Sequence, residues 1–164
     1  NSSFFLPYLS GERTPHNDPH IRGSFHAMKT TTDATNLQYA VIEGVSFGIL
    51  DGVNSILKVN DNFDKIFMVG GGSRSSFWIE LIASLLQRNL SVCDQSEYGA
   101  ALGVARLAMH VDNNIKDQND IIKEIKISKE YQPKIDSIDL LKKRYTIWKD
   151  LYTSNKNIAS TLLA

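Results

Sequence analysis

The sequence predicts an α/β domain, and three observations support this class. A continuous apolar run over Lys65–Val69 stops abruptly at three glycines, as a short buried strand does. A second short strand is predicted over Leu90–Cys93. Apolar residues at spacings of three and four mark amphipathic helices before, between and after these strands. The predicted order is therefore helix, strand, helix, strand, helix.

Residues 1–32 are predicted to form an ordered loop ahead of the first helix. They contain three of the four prolines, no sustained helical period and more large apolar residues than a free linker carries. The first helix is predicted to begin near Thr32 or Asp33, because either side chain can cap exposed backbone N–H groups. It is predicted to end at about Lys58, and residues 33–110 form the α/β core.

Two more helices belong to this core, and a helical tail over residues 111–164 follows it. The helix after the glycines begins beyond Ser76. The third helix, over Tyr98–His110, carries glycines and alanines that permit close packing. The final helix is predicted over about Ser137–Tyr152, after a polar stretch with a weak helical pattern around Ile121. Its inward-facing residues are predicted to be Leu140, Leu141, Tyr145, Trp148 and Tyr152.

The composition indicates a soluble globular protein. Of 164 residues, 42% are hydrophobic and 22% are charged, a balance typical of one folded domain. The 18 basic residues balance 18 acidic ones, so no net charge draws the chain to nucleic acid or anionic lipid. No apolar run approaches the roughly 18 residues of a membrane helix, and the single Cys93 suits the reducing cytoplasm. The apolar start without a methionine is interpreted as a cut inside a longer cytoplasmic protein.

The junction Gly70-Gly71-Gly72-Ser73 between strand and helix has the clearest chemistry. Glycines let a ligand touch the main chain without meeting a Cβ atom. Unpaired N–H groups at the start of the next helix can donate to phosphate oxygens, and the hydroxyl groups of Ser73 and Ser76 can add contacts. Arg74 is expected at the surface, and the alternative is that it reaches a phosphate. The alternative is a plain tight connection, since the segment is neither a P-loop nor a GxGxxG fingerprint.

Four segments in order resemble signatures of the FGGY carbohydrate kinases, and the first is most similar to the xylulose kinases of that family. They are Phe5–Pro15, Glu43–Phe47, Val69–Trp78 and Glu97–Ala105. Val69–Trp78 resembles the family's adenosine motif, and Glu97–Ala105 its second connecting motif. Because the resemblance covers nearly the whole chain, the chain is identified as part of a carboxy-terminal, nucleotide-binding FGGY kinase domain.

The resemblance implies an actin-like, ribonuclease-H-like ATPase fold whose two lobes close over ATP, Mg²⁺ and a small sugar. Main-chain atoms of Gly71 and Gly72 would approach the α-phosphate and the ribose. Ser76 would occupy a position where some relatives place an asparagine beside the adenine. The general-base aspartate and the Mg²⁺-linked residues would lie upstream of this segment. No catalytic or metal-binding residue is therefore assigned, and the chain alone is expected to be inactive.

Two further points stay open. The sugar could be gluconate, ribulose or glycerol in place of D-xylulose, since kinases for these sugars share related motifs. The chain could also be a non-catalytic nucleotide-binding or assembly module, which the sequence upstream of Asn1 would decide.

Without the opening strands of the lobe, the strand over Lys65–Val69 would have an unpaired edge. Association with the missing segment, or with another copy as a homo-oligomer, is therefore expected.

Several titratable residues have simpler explanations than catalysis. Glu12 and Arg13 are expected to form an internal ion pair that fixes the first loop, and the alternative is a role in substrate binding or lobe closure. Asp51 is expected to be solvated or capped, and Glu97 to cap the helix that follows it. A metal cluster could be drawn from His16, Asp18, His20 and His26. Their spacing matches no familiar ligand pattern, so no metal site is predicted there.

Overall fold

The computed structural model describes residues 3–59, 65–112 and 126–162. Its regular elements are β1 (Phe4–Leu6), β2 (Ser24–His26), α1 (Ala34–Leu57), β3 (Phe67–Met68), α2 (Ser76–Leu86), β4 (Leu90–Cys93), α3 (Gly99–Asp112), β5 (Ile127–Tyr131) and α4 (Ile135–Leu162). Short 3₁₀ helices, Gly71–Arg74 and Ser96–Tyr98, precede α2 and α3. The alternation of helices and strands confirms the predicted α/β class.

Helix α1 begins and ends close to the predicted positions. The Asp33 carboxylate accepts a hydrogen bond of 2.8 Å from the N–H of Asn36, so Asp33 is the N-cap. The last helical residue is Leu57, next to the predicted Lys58. The expectation that no apolar stretch approaches the length of a membrane helix is wrong for α1, which among the described helices is long and apolar enough to cross a membrane by length and composition. Its packing against β1, α2 and α4 accounts for this apolar surface, because α1 is a core helix.

The first 32 residues contain more regular structure than the predicted ordered loop. β1 and β2 pair antiparallel, with Phe5 opposite Phe25. β1 is fully buried and lies against α1. The approach is so close that a Cβ atom added at Gly44 would be 2.1 Å from the carbonyl oxygen of Phe5. Strands of three residues are too short for a hydrophobic period to reveal them.

The central sheet has three strands within the described residues, in the order β3-β4-β5. β3 and β4 are parallel, with Phe67 opposite Ser91, and β5 is antiparallel to β4, with Tyr131 opposite Leu90. β5 is a structural addition to the helical tail predicted over residues 111–164. The predicted pattern around Ile121 lies outside the described residues.

β3 is shorter and less buried than the predicted strand over Lys65–Val69. It spans two residues, Phe67 and Met68, which are both half-buried, and Val69 is exposed. Within the described part of the chain, β3 pairs with β4 alone, so its other edge is open. This agrees with the unpaired edge expected from the sequence.

Helix α4 ends at Leu162 and not near the predicted Tyr152. Two buried residues, Asn155 and Ala159, hold its last turns against the protein. The Asn155 side-chain amide donates a hydrogen bond to the carbonyl group of Arg22. The additional turns are therefore part of the packed structure.

The inward face of α4 is predicted correctly except at one position. Leu141 and Trp148 are buried, and the indole N–H of Trp148 donates to the Phe5 carbonyl at 2.8 Å. Leu140 is 62% exposed, so its predicted inward orientation is wrong. Neighbouring positions differ by about 100° around a helix, and Leu141 takes the buried place.

Two buried clusters meet at α2. One joins β1, α1 and α4 and includes Phe47 and Trp148. The other lies between α2 and the sheet and includes Ile82 and Leu90. Trp78 packs against both clusters near the amino-terminal end of α2. The segment that precedes α2 is therefore mounted directly on the core.

A buried ion pair between Glu43 and Arg144 fixes α4 against α1. The arginine donates two hydrogen bonds of 2.6 Å to the two carboxylate oxygens, and a third of 3.0 Å to the Ser3 carbonyl. Glu43 is 1% exposed. Removal of one partner of such a pair costs about 3–5 kcal/mol, because the other charge stays buried. The pair therefore locks the two helices and the start of β1 together.

Candidate nucleotide-binding turn

The glycine turn leaves β3 and leads into a 3₁₀ helix before α2 begins. Gly70 has a φ of +82°, a left-handed conformation that favours glycine. The 3₁₀ helix Gly71–Arg74 follows, and the first N–H groups of a helix have no partner inside it. Ser75 is extended and its side chain caps α2. α2 therefore begins at Ser76, after the short 3₁₀ helix that contains Gly71 and Gly72.

Gly71 and Gly72 differ in what surrounds them. Gly71 is exposed, and a Cβ atom added there would meet no heavy atom within 4 Å. A Cβ atom at Gly72 would lie 2.8 Å from Cζ3 of Trp78 and 3.0 Å from Cε of Met68. Gly71 thus leaves open space in front of the main chain, where a ligand can approach. Gly72 is required by the packing of the turn on its own support.

A chain of buried hydroxyl groups joins the turn to the segment that precedes α3. The Ser96 hydroxyl donates to Ser73 Oγ at 2.9 Å, and the Ser73 hydroxyl donates to the Gly70 carbonyl at 2.8 Å. The N–H of Gly70 in turn donates to the Ser96 carbonyl at 2.9 Å. The single hydroxyl proton of Ser73 is used inside the turn and cannot also be donated to a phosphate. Sequence reasoning missed Ser96, whose only signal is its place directly before the Glu97–Ala105 motif.

Ser76 and Arg74 lie at the edges of the turn. Ser76 is exposed, and its hydroxyl group shares a hydrogen bond of 2.9 Å with the Tyr131 hydroxyl on β5. Arg74 is exposed as predicted, and its guanidinium lies 3.8 Å from the Glu97 carboxylate. Glu97 itself belongs to the first turn of the 3₁₀ helix before α3. Ser76 is the accessible hydroxyl beside the turn, and Tyr131 orients it.

A cavity of 460 Å³ opens beside the turn, at the carboxyl ends of β3 and β4. Its lining includes Val69, Cys93, Ser96 and Leu102. In open α/β sheets, ligands bind outside the carboxyl ends of the strands. The turn offers backbone N–H groups for an anion, and the cavity reaches the turn at Val69, which precedes it, and at Ser96, which is hydrogen-bonded to it.

Asp51 is buried, so the predicted solvated side chain is wrong, and the capped alternative holds because its carboxylate accepts a hydrogen bond from another helix. The Tyr145 hydroxyl donates to Asp51 Oδ1, and the Asn54 amide donates to the same hydroxyl at 3.2 Å. Burial and the hydrogen bond to Asp51 raise the pKa of Tyr145 above its ordinary value. Asp51 and Tyr145 lie on different helices, α1 and α4, so no local pattern could reveal this pair.

Side-chain contacts hold the first loop against α4. The ion pair expected between Glu12 and Arg13, both described residues, is not formed. Glu12 Oε2 accepts a hydrogen bond of 2.8 Å from the backbone N–H of His16. The His16 ring stacks on Tyr152 with the ring centroids 3.6 Å apart. The Tyr152 hydroxyl donates to Asp18 at 2.9 Å. These contacts give the loop a structural role that involves α4.

The residues considered for a metal cluster have other contacts. The N–H of His20 donates to Asp18 Oδ1 at 3.0 Å, and His26 Nε2 is 2.7 Å from the Ser24 hydroxyl oxygen. In residues 3–59, 65–112 and 126–162, no group of three His, Cys, Asp or Glu side chains could hold a metal ion.

Comparison with known proteins bears on the family. The model of the FGGY family of carbohydrate kinases, C-terminal domain, matches residues 1–111. The xylulose kinase of Staphylococcus epidermidis is 30% identical over 164 residues, which cover 99% of this chain and 33% of that protein. The crystal structure of a xylulose kinase from Brucella ovis has a TM-score of 0.83 and 34% identity, covering 96% of this chain and 32% of that chain. The crystal structure of gluconate kinase from Lactobacillus acidophilus has a TM-score of 0.75 and 25% identity, covering 93% and 31%.

The chain spans about a third of the length of the curated relatives that it matches. The family match includes the glycine turn, and the similarity to the Brucella ovis structure extends over nearly the whole chain. The predicted fold, a partial carboxy-terminal lobe of the actin-like ATPase type, is confirmed. This chain belongs to the FGGY family of carbohydrate kinases and is part of the family's carboxy-terminal domain.

Proposed function

We propose that the protein containing this chain transfers the γ-phosphoryl group of ATP to a sugar, D-xylulose, giving D-xylulose 5-phosphate. The chain supplies part of the ATP-binding lobe. The similarity to the xylulose kinases of Staphylococcus epidermidis and Brucella ovis supports this choice of sugar. The observation that carries nucleotide binding is the open main chain at Gly71, at the start of a helix beside a cavity.

ATP would bind to the turn through hydrogen bonds from main-chain N–H groups. Phosphate oxygens accept hydrogen bonds from the first N–H groups of a helix, and Gly71 leaves room for them to approach. Gly72 would contribute its backbone in the same way. Ser73 keeps the turn closed through its bond to Gly70, and Ser76 offers an accessible hydroxyl group to the nucleoside. The proposed nucleotide site therefore includes Gly71, Gly72, Ser73 and Ser76, each with a different role.

Transfer to a sugar hydroxyl requires a general base, and Mg²⁺ offsets the charge on the transferring phosphoryl group. We propose that the amino-terminal lobe and the strands that open the carboxy-terminal lobe hold both, outside these 164 residues. The residues of this chain bind and orient the nucleotide. The complete protein would work in the cytoplasm, where ATP is available.

Kinetics of the complete polypeptide that contains this chain test the proposal. ADP production is measured in the presence of Mg²⁺ with D-xylulose, D-gluconate, D-ribulose and glycerol. We expect the highest kcat/KM with D-xylulose. Gly71→Val should raise KM for ATP about tenfold or more and leave KM for the sugar unchanged, because the valine fills the space on the nucleotide side.

The other outcomes have defined meanings. A preference for D-gluconate would keep the phosphotransferase and replace the sugar, in line with the similarity to gluconate kinase. ATP binding without sugar-dependent ADP production would identify a non-catalytic nucleotide-binding module. An unchanged KM for ATP in Gly71→Val would contradict nucleotide binding at the turn.

A further inference from the structure

The indole ring of Trp78 fills the space beneath Gly72. Two ring atoms, Cζ3 and Cε3, lie 2.8 and 3.1 Å from the position that a Cβ atom of residue 72 would take. Real Cβ atoms essentially never approach a heavy atom within 3.0 Å, so any larger residue must displace the ring or the turn. The Met68 methyl group is also close, at 3.0 Å, but it ends a flexible side chain and can move away. The ring therefore sets how far the turn can move toward the core.

The ring is fixed by Ser46 of α1. The Trp78 indole N–H donates to Ser46 Oγ at 2.8 Å. The Ser46 hydroxyl proton is donated to the Ile42 carbonyl at 2.7 Å, so its oxygen faces the indole as an acceptor. Ser46 is 1% exposed, and a buried hydroxyl group with both partners satisfied has little freedom to turn. One edge of the indole is thus tied to α1 while the other supports the turn.

The backbone of Trp78 is tied to the same segment. Its N–H donates to the hydroxyl oxygen of Ser75, the N-cap of α2, at 3.3 Å. The Ser75 N–H donates to the Gly72 carbonyl at 3.1 Å. Trp78 therefore contacts the segment at two points, through its backbone at Ser75 and through its ring at Gly72.

We propose that Trp78 is a positioning residue for the nucleotide turn, and that Ser46 holds it in place. The pair sets the position of the Gly71–Gly72 backbone relative to α1, and so the position of the N–H groups that would meet the phosphates. Trp78 would act through the turn, without contacting the nucleotide itself. This inference rests on the proposed function of the turn.

A double-mutant cycle in the complete polypeptide tests the proposal through KM for ATP. Gly72→Ala should raise KM for ATP about tenfold, because the new methyl group meets the fixed ring and shifts the turn. In a Trp78→Leu background, which lacks both contacting ring atoms, Gly72→Ala should change KM for ATP less than about threefold. KM for the sugar should stay constant in every variant. A purely structural role would instead move both KM values or only the amount of folded protein.

Gly71→Val provides the matched control. Nothing within 4 Å surrounds a Cβ atom at Gly71, so Trp78→Leu should not reduce the effect of Gly71→Val on KM for ATP. Ser46→Ala is a milder variant that keeps the ring and removes its anchor. It should raise KM for ATP about threefold without changing kcat.

The results separate the two hypotheses. If Gly71→Val raises KM for ATP while Gly72→Ala is equally harmful with and without Trp78, nucleotide binding at the turn stands and the role of Trp78 is refuted. Unchanged KM for ATP in Ser46→Ala would refute the anchoring by Ser46. If Gly71→Val has no effect, the proposed function of the turn fails first. Thermal unfolding of each variant verifies that the compared proteins are folded.

Discussion

Ala27 adopts a backbone conformation that its side chain disfavours. It is exposed and has a φ of +56°, in the left-handed region where residues other than glycine pay about 1–2 kcal/mol. We expect Ala27→Gly to raise the free energy of unfolding by about 1 kcal/mol, measured by urea denaturation. The same change at the exposed, helical Ala105 should have the opposite sign, since glycine costs up to about 1 kcal/mol in a helix. A loss of stability in Ala27→Gly would contradict this account.

The Asp18 carboxylate is held by groups that prefer it ionised. Burial raises the pKa of Asp18, but hydrogen bonds from the His20 N–H, the Tyr152 hydroxyl and the Ile21 N–H, together with the Lys156 ammonium group, outweigh it. The pKa of Asp18 in the folded protein is therefore below its ordinary value. A lowered carboxyl pKa stabilises the fold above the unfolded-state pKa of about 4, and this contribution is lost as pH falls through the folded value.

Asp18→Asn tests this linkage. The variant should be less stable than the wild type at pH 7, and the difference in unfolding free energy should shrink as pH falls below about 4. The measurement is urea denaturation at a series of pH values. Asp136→Asn, in the exposed first turn of α4, is the matched control that removes a carboxylate from the surface. A pH-independent difference for Asp18→Asn would refute the assignment.

At the scale of elements, α1 contains glycines with opposite requirements. Gly44 lies against β1, where an added Cβ atom would be 2.1 Å from the Phe5 carbonyl oxygen. At Gly52 an added Cβ atom would meet nothing within 4 Å. We expect Gly44→Ala to destabilise the protein by at least about 2 kcal/mol, and Gly52→Ala to stabilise it by up to about 1 kcal/mol. Urea unfolding of both variants gives the two signs, and equal effects would contradict the close packing of β1 on α1.

The elements that the sequence predicts are those whose signals are local. The start of α1 is predicted because Asp33 is a capping residue next to a long apolar period. β1, β2 and β5 are missed because strands of three to five residues depend on partners that pairing brings from elsewhere in the chain. The exposed pattern of β5, where only Tyr131 is buried, carries no alternation to detect.

The candidate site shows the same division between local and distant information. Gly71 and Ser73 are predicted as site residues from the glycine run and its similarity to a family motif. The sequence does not reveal that Gly71, Gly72 and Ser73 have different environments. The fold brings Trp78 against Gly72, and Ser96 reaches Ser73 from a later segment. The sequence motif predicts where the main chain would meet a ligand. It does not separate residues that face the ligand from residues that face the support.

At the scale of the whole molecule, one set of contacts joins the first loop to the glycine turn. Trp148 holds β1 through the Phe5 carbonyl, and β1 packs closely on α1. Ser46 on α1 then holds Trp78, which supports Gly72. The two family segments at the ends of this path therefore share one connected support, because each step is a hydrogen bond or a close packing contact.

The unpaired edge of β3 and the exposed apolar residues of α3 predict whether the isolated chain associates in solution. In the described residues, β3 has an unpaired outer edge, and exposed apolar residues follow on α3, including Val104, Leu107 and Val111. An open strand edge and exposed apolar side chains each favour association. We expect the 164-residue chain to associate with increasing concentration in sedimentation experiments, and Val69→Lys at the end of β3 to reduce this. Ile147→Lys, at an exposed apolar residue of α4, should not, and a monodisperse wild-type monomer at every concentration would contradict the prediction.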